Sequence, residues 1–237
     1  MAPHQNILVT GSSSGIGMAI AKQLLTKGYG VIGVSRRTPD DLLQNTKFSA
    51  LEMDLSNLDN LPDQLQDLVK TAPVITAAVC CAGQGRFGCL EEFSFEQIRS
   101  LMDLNFTSQA YVTRALLPNM KKNGFGHLIY IGSEAALSGG RRGAIYSASK
   151  FALRGMAQSL REECAHNNIR VTILNPGIVK TEFFDDLSFR HGEEPENYIE
   201  PGDVAEAVLL ALETRHGTVI DEINLSPLKK VIRHEQK

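Results

Sequence analysis

The chain has 237 residues, more than the roughly 150 of an average domain, yet single α/β domains often pass 200, so one domain over residues 1–237 is expected. With 43% hydrophobic and 22% charged residues, 20 glycines and 9 prolines, the composition excludes disordered and collagen-like chains. The 24 basic against 27 acidic residues leave a net charge of -3, too balanced for nucleic acid or an anionic membrane to be the main partner, so a small molecule is expected.

Short β-branched runs alternate with helical patterns along almost the whole length. Strands are predicted at Asn6–Thr10, Gly30–Ser35, Lys47–Asp54, Val74–Ala82, Gly126–Gly132, Ile169–Asn175 and Thr218–Leu225. Helices are predicted near Gly15–Lys27, Leu58–Lys70, Phe95–Lys122, Ala144–Asn167 and Pro201–Thr214. Runs such as Ile7-Leu8-Val9 and Leu128-Ile129-Tyr130-Ile131 are apolar without alternation, as in strands covered on both faces. The expected fold is therefore α/β: a single doubly wound parallel sheet of about seven strands with helices on both faces, Rossmann-like. The segment Glu182–Glu200 is the one long irregular stretch and is expected to act as a substrate loop. The basic tail Lys229–Lys237 has no readable role.

No run approaches the roughly 18 apolar residues of a membrane span, and Met1–Asn6 lacks a basic segment followed by an apolar stretch. A cytoplasmic location is expected. Cys80, Cys81, Cys89 and Cys164 match neither a disulfide framework nor a zinc site, so reduced thiols and no metal are expected.

The first strand runs into Thr10-Gly11-Ser12-Ser13-Ser14-Gly15-Ile16-Gly17, which opens the first helix. Gly11 permits a tight turn, Gly15 lets backbone approach a pyrophosphate, and Gly17 lets the helix pack closely. Free amides at the helix start meet the phosphate charge. No Gly-Lys-Ser/Thr follows, which excludes a P-loop. The second strand ends in Ser35-Arg36-Arg37, where NAD sites place an acid. Uncharged Ser35 does not repel a 2′-phosphate, and Arg36 and Arg37 can bond it, so NADP(H) is preferred over NAD.

Tyr146 and Lys150 stand four residues apart on one helix face, and Ser133 ends the fifth strand, at the sheet edge where such folds bind ligands. With these residues, the glycine turn, Asp54-Leu55, Ala82-Gly83, Asn105 and Pro176-Gly177 with Thr181, the sequence resembles the classical short-chain dehydrogenase/reductase family from Thr10 to about Leu225.

The resemblance implies an NADP-dependent enzyme acting on CH–OH groups, interconverting a carbonyl and a secondary alcohol. It implies Tyr146 as general acid/base, Lys150 as the cation that holds the nicotinamide ribose and lowers the Tyr146 pKa, Ser133 on the substrate oxygen, and Asn105 orienting a water beside Lys150. Bringing a phenol from near 10 to roughly 7 requires about 4 kcal/mol, of which a cation at about 5 Å supplies roughly 3. Further cofactor contacts implied are Ser12, Ser14, Ile16, Asp54, Leu55, Ala82, Gly83, Pro176, Gly177, Ile178 and Thr181. Pairing of the Phe95–Lys122 and Ala144–Asn167 helices into a homodimer or homotetramer is implied as well.

Three features depart from the family pattern. Cys80-Cys81 replaces an Asn pair that braces the backbone, putting local rigidity in doubt. Ser14 stands where NADP-preferring relatives often carry a basic residue, so the NADP preference rests on Arg36 and Arg37. The ending Asp221-Glu222-Ile223-Asn224-Leu225 differs from that of 3-oxoacyl carrier-protein reductases and looks more like relatives acting on small hydroxy acids or varied carbonyls. An acyl thioester reductase and a non-catalytic NADP sensor are the alternatives. Phe183, Phe184 and Phe189 suggest an apolar lid, Arg141 and Arg142 a carboxylate site, and Glu134 a polar or cationic substrate.

Overall fold

The computed structural model describes residues 5–234; the amino-terminal Met1–His4 and the end of the basic tail, Glu235–Lys237, lie outside the described residues. Seven parallel strands form one sheet: β1 (Asn6–Thr10), β2 (Gly30–Ser35), β3 (Phe48–Glu52), β4 (Ile75–Cys80), β5 (Gly126–Ile131), β6 (Ile169–Pro176) and β8 (Glu222–Leu225). Their order is β3-β2-β1-β4-β5-β6-β8. The fold is the doubly wound, Rossmann-like sheet that the alternating pattern predicts.

Both sheet faces are buried, which explains why the central strands are apolar throughout. Ile7, Val9, Ile129 and Ile131 point into a core built with α1 (Gly15–Thr26) and α7 (Pro201–Glu213). Leu8, Leu128 and Tyr130 point the other way, onto α3 (Leu61–Thr71), α5 (Ser108–Asn123) and α6 (Ala144–Cys164). The period of two thus divides each strand between two helical layers. Each fully buried aliphatic side chain contributes about 1.5–3 kcal/mol.

The strand order reverses between β1 and β4, and the loops leaving their carboxyl ends diverge into a crevice. The glycine turn after β1 and Cys81–Gly83 after β4 line it. Neighbouring β5 ends at Ile131, two residues before Ser133, and β6 ends at Pro176. Four distant parts of the chain thereby meet at one edge.

Several elements differ from expectation. The predicted Phe95–Lys122 helix is divided into α4 (Phe95–Met102) and α5 by a π turn at Asp103–Thr107. The extra residue of a π turn re-aims a side chain, here that of buried Asn105. The last sheet strand starts at Glu222 rather than Thr218, and a short helix α2 (Asp40–Leu43) follows β2. The irregular segment holds β7 (Phe189–His191), which pairs antiparallel with β9 (Ile232–His234) of the basic tail.

Candidate active site

At the glycine turn, Gly11 has φ +70° and donates from its amide to the Val34 carbonyl at 2.8 Å. A Cβ on Gly17 would come within 2.1 Å of the Gly11 carbonyl oxygen, so only glycine lets the helix start fold against the turn. Gly15, at φ +51°, sits beside the Thr181 side chain and brings the turn against the segment after β6. Ser12 is fully buried, and its hydroxyl has no hydrogen-bond partner among the described residues. A Cβ on Gly33 would approach that oxygen to 2.6 Å, so bare backbone of β2 leaves the hydroxyl its space.

The doubt about Cys80-Cys81 has a structural answer. The Thr10 hydroxyl accepts from the Cys81 and Ala82 amides at 2.9 and 3.0 Å, and Gln109 Nε2 donates to the Ala82 carbonyl at 2.8 Å. Side chains from β1 and α5 supply the bracing. Burial pushes both thiols up to about 12, so neither is a ready thiolate.

Tyr146 and Lys150 lie one turn apart near the start of α6, both buried. Lys150 Nζ is 5.8 Å from the Tyr146 ring centre and donates to the Ile131 carbonyl at 3.0 Å. Ser133 caps a short 3-10 turn, accepts from the Ala135 amide at 3.1 Å, and its side chain acts on the Tyr146 phenol to draw its pKa down. Asn105 Oδ1 accepts from the Gln84 amide at 2.8 Å, while its Nδ2 donates to the Gln84 carbonyl at 2.9 Å and to Ser149 Oγ at 3.1 Å. Its side chain is thus committed to protein groups, fixing the loop after β4 against α6.

The electrostatics correct the expected tyrosine shift. Burial pushes the Tyr146 phenol up to about 12; the Ser133 side chain opposes this and the Glu134 charge adds to it. Burial also brings Lys150 down to about 8, with the neighbouring Cys81 acting the other way. Loss of hydration outweighs a lysine that is turned toward a backbone carbonyl. Tyr146 is held as a neutral phenol, a proton donor.

Asp54 caps its own turn, accepting from the Ser56 amide at 2.9 Å and hydroxyl at 2.7 Å. Its burial favours the neutral acid, but the Ser56 bonds and the nearby Arg36 outweigh it and hold the carboxyl below its ordinary value. Arg36 therefore stands by the end of β3, where Leu55 is buried. Ser35 Oγ donates to the Arg37 carbonyl at 2.8 Å, which shapes the loop carrying both exposed arginines.

Pro176, Gly177 and Ile178 lead from β6 toward Thr181, whose Oγ1 accepts from the Phe183 amide at 3.3 Å. Phe183 and Phe184 ride on the 3-10 turn that Thr181 caps. Arg142 is engaged by Glu92 at 3.1 Å, and Glu134 by Lys230 at 2.7 Å. Neither matches the free substrate-binding charge expected of it.

Residues 5–190 match the model of the short chain dehydrogenase family. The chain belongs to this family. An uncharacterised oxidoreductase of Staphylococcus epidermidis is 30% identical over 225 residues, covering 93% of this chain and 96% of its own. A short-chain dehydrogenase structure from Streptomyces avermitilis superposes with a TM-score of 0.83 at 29% identity, over 95% of this chain and 89% of that one. A metagenomic short-chain oxidoreductase solved in complex with NADP gives 0.80 at 27% identity, over 96% and 98%.

Within this short-chain dehydrogenase fold, two features escape sequence reasoning. Phe87, in the glycine-flanked segment after β4, packs on the Tyr146 ring with centres 5.0 Å apart. An aromatic residue inside Gly85-Arg86-Phe87-Gly88, just past a sheet edge, is the signal that points to it. The tail contact has no such signal. Lys229 donates to the Glu196 carbonyl at 2.9 Å and accepts from Asn197 Nδ2 at 3.1 Å, lashing the segment 182–200 to the tail.

Proposed function

We propose that the protein is an NADP(H)-dependent oxidoreductase that interconverts a carbonyl and a secondary alcohol. The observation that carries this reading is the buried Tyr146–Lys150 pair, one turn apart with the Lys150 Nζ 5.8 Å from the Tyr146 ring centre, at the sheet edge where β5 leads to Ser133 beside the glycine turn. The orphaned Ser12 hydroxyl and the close approach at Gly33 fit a bound dinucleotide, since a buried hydroxyl without a partner costs about 1–3 kcal/mol. Amides of Ser14–Gly17 would face the pyrophosphate, and Gly11, Ser12 and Gly15 would shape its cradle. Ser35, Arg36 and Arg37 would take the 2′-phosphate, and Asp54, Leu55, Ala82 and Gly83 would border the adenosine. Pro176, Gly177, Ile178 and Thr181 would hold the carboxamide end. The NADP-bound relative supports this preference.

When bound, the nicotinamide supplies or takes the hydride. Ser133 orients the carbonyl oxygen, and Tyr146, protonated as the structure holds it, donates a proton to that oxygen during reduction. Lys150 holds the ribose and stabilises the tyrosinate that results. Asn105 holds the Gln84 loop in register with α6, so any water it orients lies beyond its engaged side chain. The carboxyl edge of one sheet carries both cofactor and substrate groups within a single domain, and pairing through α5 and α6 would give a homodimer or homotetramer.

Tyr146→Phe tests the mechanism. NADPH-dependent turnover is expected to fall at least 100-fold while NADPH binding, read by calorimetry, stays within a factor of three. Wild-type turnover in this variant overturns the assignment.

A further inference from the structure

Around Tyr146 five aromatic rings form a closed circuit. Tyr146 contacts Phe87 at 5.0 Å, Phe87 contacts Phe189 at 5.0 Å, Phe189 contacts Phe184 at 5.9 Å, Phe184 contacts Phe183 at 5.1 Å, and Phe183 returns to Tyr146 at 6.1 Å. Three separate segments supply these rings: the loop after β4, the first turn of α6, and the segment Phe183–Phe189. A core needs no such convergence above its reacting group. Each neighbouring pair is tilted or edge-to-face, the arrangement aromatic quadrupoles favour. The four phenylalanines are only partly buried, so the circuit opens toward solvent while Tyr146, 7% exposed, forms its floor. Gly85 belongs to the same wall: a Cβ there would lie 2.3 Å from the Phe183 ring.

Charge is removed from the neighbourhood by pairing. Glu134, adjacent to Ser133, is paired with Lys230, and Arg142, just before α6, with Glu92. Lys150 keeps its charge but turns its Nζ, 5.8 Å from the Tyr146 ring centre, to the Ile131 carbonyl, while Arg86 and Arg141 are exposed. A carboxylate seated among the four phenylalanine rings would lose its hydration against side chains that carry neither charge nor hydrogen-bond donors, which is unfavourable.

We propose that the substrate is an uncharged aryl ketone, and in the reverse direction the secondary alcohol bearing an aromatic ring on its carbinol carbon. The substrate ring enters among Phe87, Phe183, Phe184 and Phe189 in place of their mutual contacts, which puts its carbonyl oxygen at the Ser133–Tyr146 pair. The ketone carbon accepts the hydride of NADPH, its π pair moves to oxygen, and Tyr146 donates the proton. The products are the alcohol, NADP+ and a tyrosinate that solvent reprotonates. This proposal rests on the oxidoreductase reading above and narrows it away from small hydroxy acids.

Three ketones of similar size separate ring from charge: acetophenone, cyclohexyl methyl ketone and phenylglyoxylate. With the wild-type protein and NADPH, kcat/KM for acetophenone is expected to exceed that for cyclohexyl methyl ketone about tenfold, roughly 1.4 kcal/mol, and that for phenylglyoxylate about 100-fold. Equal or reversed ratios with measurable turnover overturn the substrate class and leave the oxidoreductase reading standing. Absence of NADPH oxidation with all three overturns the substrate class, while absence across a broad carbonyl panel as well overturns the oxidoreductase reading. Binding is read independently of turnover by ligand-observed NMR of acetophenone on the Tyr146→Phe variant with NADP+; saturation transfer to the aryl protons is expected, and none overturns the proposal. Phe87→Leu and Phe184→Leu keep apolar volume while removing a ring. Each is expected to cut the acetophenone-to-cyclohexyl ratio at least threefold, and an unchanged ratio in both folded variants counts against the aromatic circuit.

Discussion

In the proposed mechanism Lys150 sets the working range of the site. Burial lowers it to about 8, so its ammonium is complete below that pH and is lost above it, whereas Tyr146, raised to about 12, stays protonated throughout. The pH profile of kcat/KM for reduction is therefore expected to be level from about 6 to 7.5 and to fall with a one-proton slope above about 8. Steady-state rates in constant-ionic-strength buffers check this; a level profile to pH 10 assigns the lysine no electrostatic part. Tyr146, Lys150 and Ser133 were legible in the sequence because helix spacing and strand ends fix them locally. The direction of the tyrosine shift was not, since it depends on how completely the fold removes water from the phenol. Phe87 was hidden for a related reason: its partners come from segments about 60 and 100 residues away, which no local period records.

At the level of elements, the segment after β6 and the basic tail form one unit. β7 pairs with β9, Lys229 bonds Glu196 and Asn197, and Lys230 reaches Glu134 beside Ser133. The Arg233–Glu193 pair adds a further tie. Three-residue strands carry no periodicity, and antiparallel pairing across some 40 residues leaves no mark in either segment alone, so this strap is invisible before folding. The seven sheet strands, by contrast, announce themselves through long apolar runs. Backbone and side-chain bonds of the strap contribute about 0.5–1.5 kcal/mol each, whereas the half-exposed Lys230–Glu134 pair adds about 0–1. Ending the chain at Leu228 is accordingly expected to raise KM about tenfold or more and to speed proteolysis within residues 182–200. Lys230→Met alone is expected to change KM less than fivefold. Similar effects from both variants would place the energy in the ion pair rather than in the strand pairing.

For the molecule as a whole, the crevice between β1 and β4 joins two halves of the sheet, and a ligand bridging its walls binds the folded chain but not the unfolded one. Stabilisation follows RT ln(1 + [L]/Kd), about 2.7 kcal/mol at 100 times Kd. For a chain of this size that amounts to a rise of roughly 5–10 °C in Tm. NADPH at such a concentration is expected to produce that rise and NADH, at equal concentration, a smaller one. The difference should vanish in the Arg36→Ala, Arg37→Ala double variant, because Ser14 offers no second cation to the 2′-phosphate. Tyr146→Phe, which touches the reacting atoms and not the phosphate turn, should keep the full NADPH shift. Differential scanning fluorimetry on these proteins separates cofactor choice from chemistry. If NADH raised Tm as much as NADPH in the wild type, the two arginines would be ordinary solvated loop residues and the short-chain dehydrogenase would have no built-in preference at that end of the crevice.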